Sequence, residues 1–175
     1  MKVMIICAPG LEECEALLTY DLLFRAKIET HLIGLDKEIL SSHNVKFVTH
    51  YTFSEINIKD YDALVLPGGM PGTLNLEKSD FVQKTIDYFM DKNKLIAAVC
   101  AAPSILIHKG LLKDNEFTCY PGFENGLKRK DVKAYQYKNI ITGVGLGGTI
   151  DFASLIISYL KDETSSKEIL SKIQY

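Results

Sequence analysis

The strongest constraint on this chain is a set of short, unbroken apolar runs, each of which stops at a break in the backbone pattern. Val3–Ala8 ends at Pro9-Gly10, Ala63–Leu66 at Pro67-Gly68-Gly69-Met70-Pro71-Gly72, and Leu95–Val99 at Cys100 and its alanine neighbours. A run of four to eight apolar residues without polar alternation reads as a strand buried on both faces. Such strands belong to parallel sheets covered by helices on both sides. The intervening segments agree: Glu13–Ala26, Phe81–Met90, Thr149–Leu160 and Ser165–Ile173 carry helical spacing. A further short helix starts at Pro103, where a missing N–H costs nothing. Additional strands are predicted at Ile28–Leu35, Val45–Thr49, Lys133–Gln136 and Ile140–Thr142, with the segment Glu116–Cys119 and a Pro121-Gly122 turn before the last two. No repeat, linker or low-complexity tract interrupts the pattern. The expectation is one α/β sandwich domain over residues 1–175.

Composition narrows the function classes. Twenty basic residues face twenty-two acidic ones, a net charge of −2, with no lysine–arginine run. A field of that size holds no nucleic-acid backbone, so nucleic acid is not an expected partner. No apolar stretch reaches membrane-spanning length, and the N-terminal apolar run is too short and too quickly acidic for a signal peptide. The four cysteines, Cys7, Cys14, Cys100 and Cys119, form no C-x-x-C pair, and the four histidines are scattered. Structural zinc is therefore not expected, and free thiols point to a reducing cytoplasm.

In parallel α/β sheets the active crevice lies beyond the carboxyl ends of the strands. Pro9–Glu15, Pro67–Gly72, Cys100–Pro103 and Gly143–Gly148 all fall there. Cys100 sits between the strand Leu-Ile-Ala-Ala-Val and the helix start Ala101-Ala102-Pro103. A nucleophile on a sharp strand-to-helix turn needs small neighbours, because the strained backbone leaves no room for bulk. A helix N-terminus behind the sulfur would favour thiolate. The competing reading is an inert buried cysteine, which placement at the strand end disfavours.

At helical spacing Glu15 stacks with Leu18, Leu22 and Ala26 on the apolar side of its helix. A carboxyl so placed should have a raised pKa and trade protons with a thiol. Charge compensation of the helix N-terminus explains Glu12 and Glu13 but explains Glu15 less well. Pro67–Gly72 offers backbone amides for an oxyanion, or is simply a loop. Gly143, Gly145 and Gly148 satisfy G-x-G-x-x-G, yet no strand ending in an acid follows, so a dinucleotide site is not expected. Tyr120, beside Cys119, either reaches the crevice or packs before a turn. No histidine adjoins Cys100: Ala101 holds the next position, and His108 lies about 12 Å down the helix.

In combination these pieces resemble the ThiJ/PfpI superfamily, in the branch of the parkinsonism-associated deglycase and its bacterial relatives. The carriers are Pro9-Gly-Leu-Glu-Glu-Cys-Glu15, Val65-Leu-Pro-Gly-Gly69, Ala98-Val-Cys-Ala-Ala-Pro103, Thr118-Cys-Tyr-Pro121 and Thr142-Gly-Val-Gly-Leu-Gly-Gly-Thr149. The resemblance implies a flavodoxin-like three-layer sandwich with a mostly parallel sheet, akin to class I glutamine amidotransferase domains, assembled as a homodimer. It implies Cys100 as reactive thiol, Glu15 as its hydrogen-bonding partner, and backbone amides of Gly68, Gly69 and Ala101 around an oxyanion. It adds Tyr120, Cys119 and Arg25 to the pocket, Arg25 through a family arginine near the dimer contact.

The activities implied are cofactor-free conversion of methylglyoxal to lactate, removal of early glycation adducts, and oxidation sensing at the cysteine. The substrate would be a small carbonyl compound, with no metal involved. Two departures qualify this. Tyr120 stands where the human member has histidine, and Ala101 stands where the superfamily's proteases place histidine after the nucleophile. A cysteine hydrolase or peptidase is thereby disfavoured. The principal rival is a non-catalytic sensor or chaperone whose Cys100 oxidises to sulfinic acid.

Overall fold

The computed structural model describes residues 1–175. In chain order the elements are β1 (Lys2–Cys7), α1 (Glu13–Arg25), β2 (Glu29–Gly34), β3 (Glu38–Leu40), β4 (Lys46–Val48), β5 (Tyr51–Thr52) and β6 (Ala63–Leu66). Then follow α2 (Gly72–Lys78), α3 (Asp80–Asp91), β7 (Leu95–Val99), α4 (Pro103–His108), β8 (Ala134–Tyr137), β9 (Ile140–Gly143), α5 (Thr149–Leu160) and α6 (Glu163–Lys172). Seven strands form one sheet in the order β5-β2-β1-β6-β7-β9-β8, parallel except for the antiparallel edge strand β8. The order reverses between β1 and β6, so a topological switch point lies between their carboxyl ends.

Strand periodicity divides the apolar residues between two cores. Val3, Ile5, Val65, Ala97 and Val99 face one side, where they meet Leu22, Phe152, Ile156 and Ile169 of α1, α5 and α6. Met4, Ile6, Leu64, Leu66, Ile96 and Ala98 face the other, against Leu76, Val82, Ile86, Phe89 and Leu106 of α2, α3 and α4. Every residue of β6 and β7 is buried. This explains why the central runs are apolar without alternation. Two helix starts carry side-chain caps: the Asp162 carboxylate accepts from the Ser165 amide at 2.6 Å and Ser79 from that of Val82 at 3.5 Å. No helix is long and apolar enough to cross a membrane.

The structure departs from the sequence expectations at β4 and α2. The segment Glu116–Cys119 lies outside helix and strand. The Thr118 amide is taken by the Thr142 hydroxyl at 2.9 Å and its own hydroxyl donates to Val132 O, so side chains do the work a neighbouring strand would do. Val45–Thr49 shortens to β4 and pairs with β3 in a separate antiparallel hairpin. Helix α2 grows directly out of the Pro-Gly cluster, because the Gly72 and Thr73 amides are held by Gly10 O and Gly69 O.

Candidate active site

Cys100 follows β7 with φ of +64°, the left-handed region that side chains seldom occupy. Its amide donates to Gly143 O and its carbonyl accepts from the Tyr120 amide, both at 2.9 Å. Two hydrogen bonds from neighbouring segments thus hold a conformation costing roughly 1–3 kcal/mol. The turn also breaks strand alternation: Val99 and the half-buried Cys100 border the same apolar core. This is the strained strand-to-helix elbow that the flanking alanines foretold.

Gly68 lies between the thiol and Glu15. A Cβ added there would sit 2.6 Å from Cys100 Cβ and 2.9 Å from Glu15 Oε2, so only glycine fits. Its amide donates to Glu15 Oε2 at 2.9 Å. Glu15 is 1% exposed, one turn inside α1, and its Oε1 is buried without a hydrogen-bond partner. The carboxyl and thiol influence each other directly, yet the contact is open rather than a closed hydrogen bond.

Burial lifts the Glu15 carboxyl to about 7, against the pull of the Gly68 amide and the Cys100 thiol and with a smaller push from the Glu12 charge. Burial and then the Glu15 charge push the Cys100 thiol up to about 12, opposed by the Gly69 and Ala101 amides. The sequence expectation of a helix-stabilised thiolate is corrected here. Helix α4 has only six residues and begins three positions past the sulfur, so its dipole does not offset burial beside a carboxylate. The two groups titrate as a pair. Both shifts are upward and the thiol's is the higher value, so above about pH 7 the pair keeps one proton, held on sulfur, while the carboxyl carries the charge.

The other expected pocket residues divide. Gly68, Gly69 and Ala101 line the sulfur, and Tyr120 lies beside it, exposed. Cys119 is not a pocket group: it is fully buried in the apolar cluster with Ala98 and Ala102, and burial pushes its thiol up to about 11. Arg25 stands apart from the thiol of its own chain. It ends α1, about 15 Å along the axis from Glu15, and pairs with Asp21 at 2.6 Å. There it lines an open groove of about 920 Å3 with Tyr20, Phe24, His31 and His50. Gly148 explains the last glycine motif, since its would-be Cβ falls 2.6 Å from Lys133 O. That glycine serves packing.

Sequence reasoning missed one cluster. Glu12, Glu13 and His43 bring possible metal-ligating atoms within 4.8 Å of one another. His43 Nδ1 lies 3.3 Å from each carboxylate. His43 arrives on the hairpin turn between β3 and β4, about thirty residues from Glu13, so spacing gave no signal.

Fold and site together define a flavodoxin-like protein with a cysteine elbow backed by a buried carboxyl. The DJ-1/PfpI family model matches residues 1–159, and the chain belongs to that family. Protein DJ-1alpha of Drosophila melanogaster is 36% identical over 176 residues, covering 96% of this chain and 81% of that protein. Deglycase PfpI of Pyrococcus furiosus is 28% identical over 146 residues, covering 82% and 86% respectively. Among solved structures, a DJ-1 superfamily protein of Salmonella typhimurium superposes with a TM-score of 0.92 at 31% identity, covering 99% of this chain and 98% of that one. Oxidised Toxoplasma gondii DJ-1 gives 0.92 at 29% identity, again over 99% and 98%.

Proposed function

We propose that the protein is a cofactor-independent, cysteine-dependent enzyme acting on reactive α-oxoaldehydes, converting methylglyoxal to lactate and removing early glycation adducts. The observation that carries this is the Cys100–Glu15 pair, which shares one proton at the sheet's switch-point edge beside unobstructed backbone amides. Relatives named deglycases support the same reading.

The steps follow from the groups present. Cys100 sulfur bonds to the aldehyde carbon, and the carbonyl electron pair moves onto oxygen near the Gly69 and Ala101 amides. Glu15 takes the thiol proton as sulfur attacks and delivers it to that oxygen, giving a hemithioacetal and restoring the carboxylate. Glu15 carboxylate then removes the proton from the former aldehyde carbon and returns it to the adjacent carbon through an enediol, while the hydroxyl proton of the former aldehyde carbon passes to the neighbouring oxygen, leaving the thioester of the hydroxy acid. Water cleaves the thioester, releasing the hydroxy acid and restoring the thiol. The sum is methylglyoxal plus water to lactate, with no net oxidation.

The test is enzymatic lactate detection without glutathione, comparing wild type with Cys100→Ser and Glu15→Gln. Turnover lost in both variants is the expected result. Absence of turnover in wild type, with uniform peroxide-driven mass gain at Cys100, would overturn it in favour of the sensor.

The same reading includes a homodimer working in a reducing cytoplasm. Exposed Phe24 on α1, Leu40 and Val48 on the hairpin, and four free cysteines support it. Sedimentation at micromolar concentration should give twice the 19.6 kDa chain mass.

A further inference from the structure

The two amides that face the Cys100 sulfur belong to two different helix starts, and each is tied down in the same way. Gly69 stands just ahead of α2, and its carbonyl accepts from the Thr73 amide at 2.9 Å and the Thr73 hydroxyl at 3.0 Å. Ala101 stands just ahead of α4, and its carbonyl accepts from the Ser104 amide at 3.1 Å and the Ser104 hydroxyl at 2.7 Å. Thr73 and Ser104 are both buried, so water does not compete for these carbonyls. Gly69 and Ala101 therefore each move with the first turn of their own helix.

One turn further along, the two helices meet. Side chains four residues apart share a helix face, so Glu77 follows Thr73 and His108 follows Ser104. Glu77 Oε1 and His108 Nδ1 are 2.5 Å apart, the one side-chain hydrogen bond between α2 and α4. All four residues line a single cavity of about 190 Å3 between the helices, bordered on its third side by Phe123 and Asn125. Toward the sheet, Leu76 and Leu106 seat both helices in one apolar cluster. Farther out the gap stays open and the Glu77–His108 contact spans it. Where side chains interlock, close packing sets helix spacing and a partly exposed ion pair adds little. Across this cavity a single contact sets it.

The pair lies on the α2–α3–α4 face of the sheet, whereas α1 and the β3–β4 hairpin cover the other. A second copy docked through α1 therefore meets the opposite side of the molecule.

We propose that Glu77 and His108 are a positioning pair: by fixing how far α2 stands from α4, their contact sets the gap between the Gly69 and Ala101 amides at the sulfur. The effect on turnover rests on the α-oxoaldehyde reading. The effect on the thiol does not, because the same amides face the sulfur before any substrate binds.

The experiment alkylates Cys100 of the full chain with iodoacetamide at pH 8, followed by peptide mass because Cys14 is also exposed. Glu77→Ala and His108→Ala should each slow the reaction about threefold, since a thiolate that loses an amide donor forms less readily. The double variant should be no slower than either single one, as for two ends of one contact. Glu77→Gln, whose amide oxygen can still accept from Nδ1, should restore most of the rate. Lys109→Ala is the control: it breaks the neighbouring pair with Asp87 of α3, a helix that carries neither amide, and should leave the rate unchanged. Both members of the positioning pair are partly exposed, and urea melts check that every variant folds. With methylglyoxal, kcat should fall about tenfold in the two alanine variants while KM stays within about twofold, because misplaced oxyanion donors are felt in the transition state. Alkylation unchanged in both alanine variants would overturn the proposal, whatever happened to kcat. An equal loss in Lys109→Ala would overturn it too, showing general loosening. Slower alkylation in the alanine variants, with no methylglyoxal turnover in wild type, would sink the enzymatic reading and leave the positioning pair standing.

Discussion

Two strands of this sheet end in a cysteine, and the two ends behave differently. Cys7 closes β1 in regular strand geometry, wholly buried, with its thiol 3.7 Å from Ile5 O. Burial alone pushes that thiol far above the usual range, and no charge or amide opposes it. Cys100 comes one residue after β7 has ended, in left-handed backbone, half exposed, with a carboxyl on one side and two amides on the other. Residue type and position at a buried strand's end are shared. The difference lies in one φ angle and what it brings within reach, so the thiol's surroundings are a property of the backbone turn.

The sharpest break of this comparison is the exchange of each thiol. Cys100→Ser should lower lactate formation at least about a thousandfold, since a hydroxyl is far harder to deprotonate than a thiol and a much poorer nucleophile. Cys7→Ala should leave turnover within about twofold while costing roughly 1 kcal/mol in urea denaturation, the loss of one small buried side chain. Equal activity losses in the two would mean that the elbow confers nothing special.

Next comes the partner that only Cys100 has. Glu15→Gln should reduce kcat by about a hundredfold or more, removing the proton shuttle. Its stability effect has the opposite sign. Burial raises the folded-state value from 4.5 to about 7, so this group's contribution to stability is complete below about 4.5 and is lost as pH rises through 7. At pH 8 the glutamine variant should therefore be more stable than wild type by up to about 3 kcal/mol, and at pH 4 nearly equal. Urea melts at the two pH values check both. A variant that is slower and no more stable at pH 8 would mean that Glu15 is not a strained carboxylate.

A smaller effect should come from the spacer between thiol and carboxyl. Gly68→Ala places a methyl 2.6 Å from Cys100 Cβ and should cost about 1–3 kcal/mol through overpacking, while pushing Glu15 away from the sulfur. Iodoacetamide alkylation of Cys100 against pH should then shift toward that of an isolated thiol. An unchanged profile would show that the pair is not set by this contact.

Much of this was legible in the sequence because the signals were local. Three of the four central strands announce themselves as apolar runs, since a strand buried on both faces needs no alternation. Cys100 stood out because small residues flank it where the chain must turn sharply, and Glu15 because helical spacing put a carboxyl among leucines. What could not be read depends on distant partners. The thiol's upward shift comes from burial in the folded chain and then from Glu15, eighty-five residues away, and the cluster of His43 with Glu12 and Glu13 needs the hairpin folded over α1. Within one chain Arg25 lies at the far end of α1 from Glu15, beside Asp21, and its place near a dimer contact depends on a second chain. Glycine and proline in residues 67–72 read as loop, although Gly10 O and Gly69 O were waiting to start a helix.

The hydrogen bond from Cys100 to Gly143 O has a consequence for how the molecule is made. During synthesis the elbow emerges some forty residues before the strand that holds it, and β9 must dock beside β7 before the turn can lock. Parallel pairing of this kind is long-range and slow. A ribosome-bound chain that stops short of residue 143 therefore contains the cysteine but not its shape. The elbow comes into being with the sheet, late, when most of the molecule is already in place to restrain it.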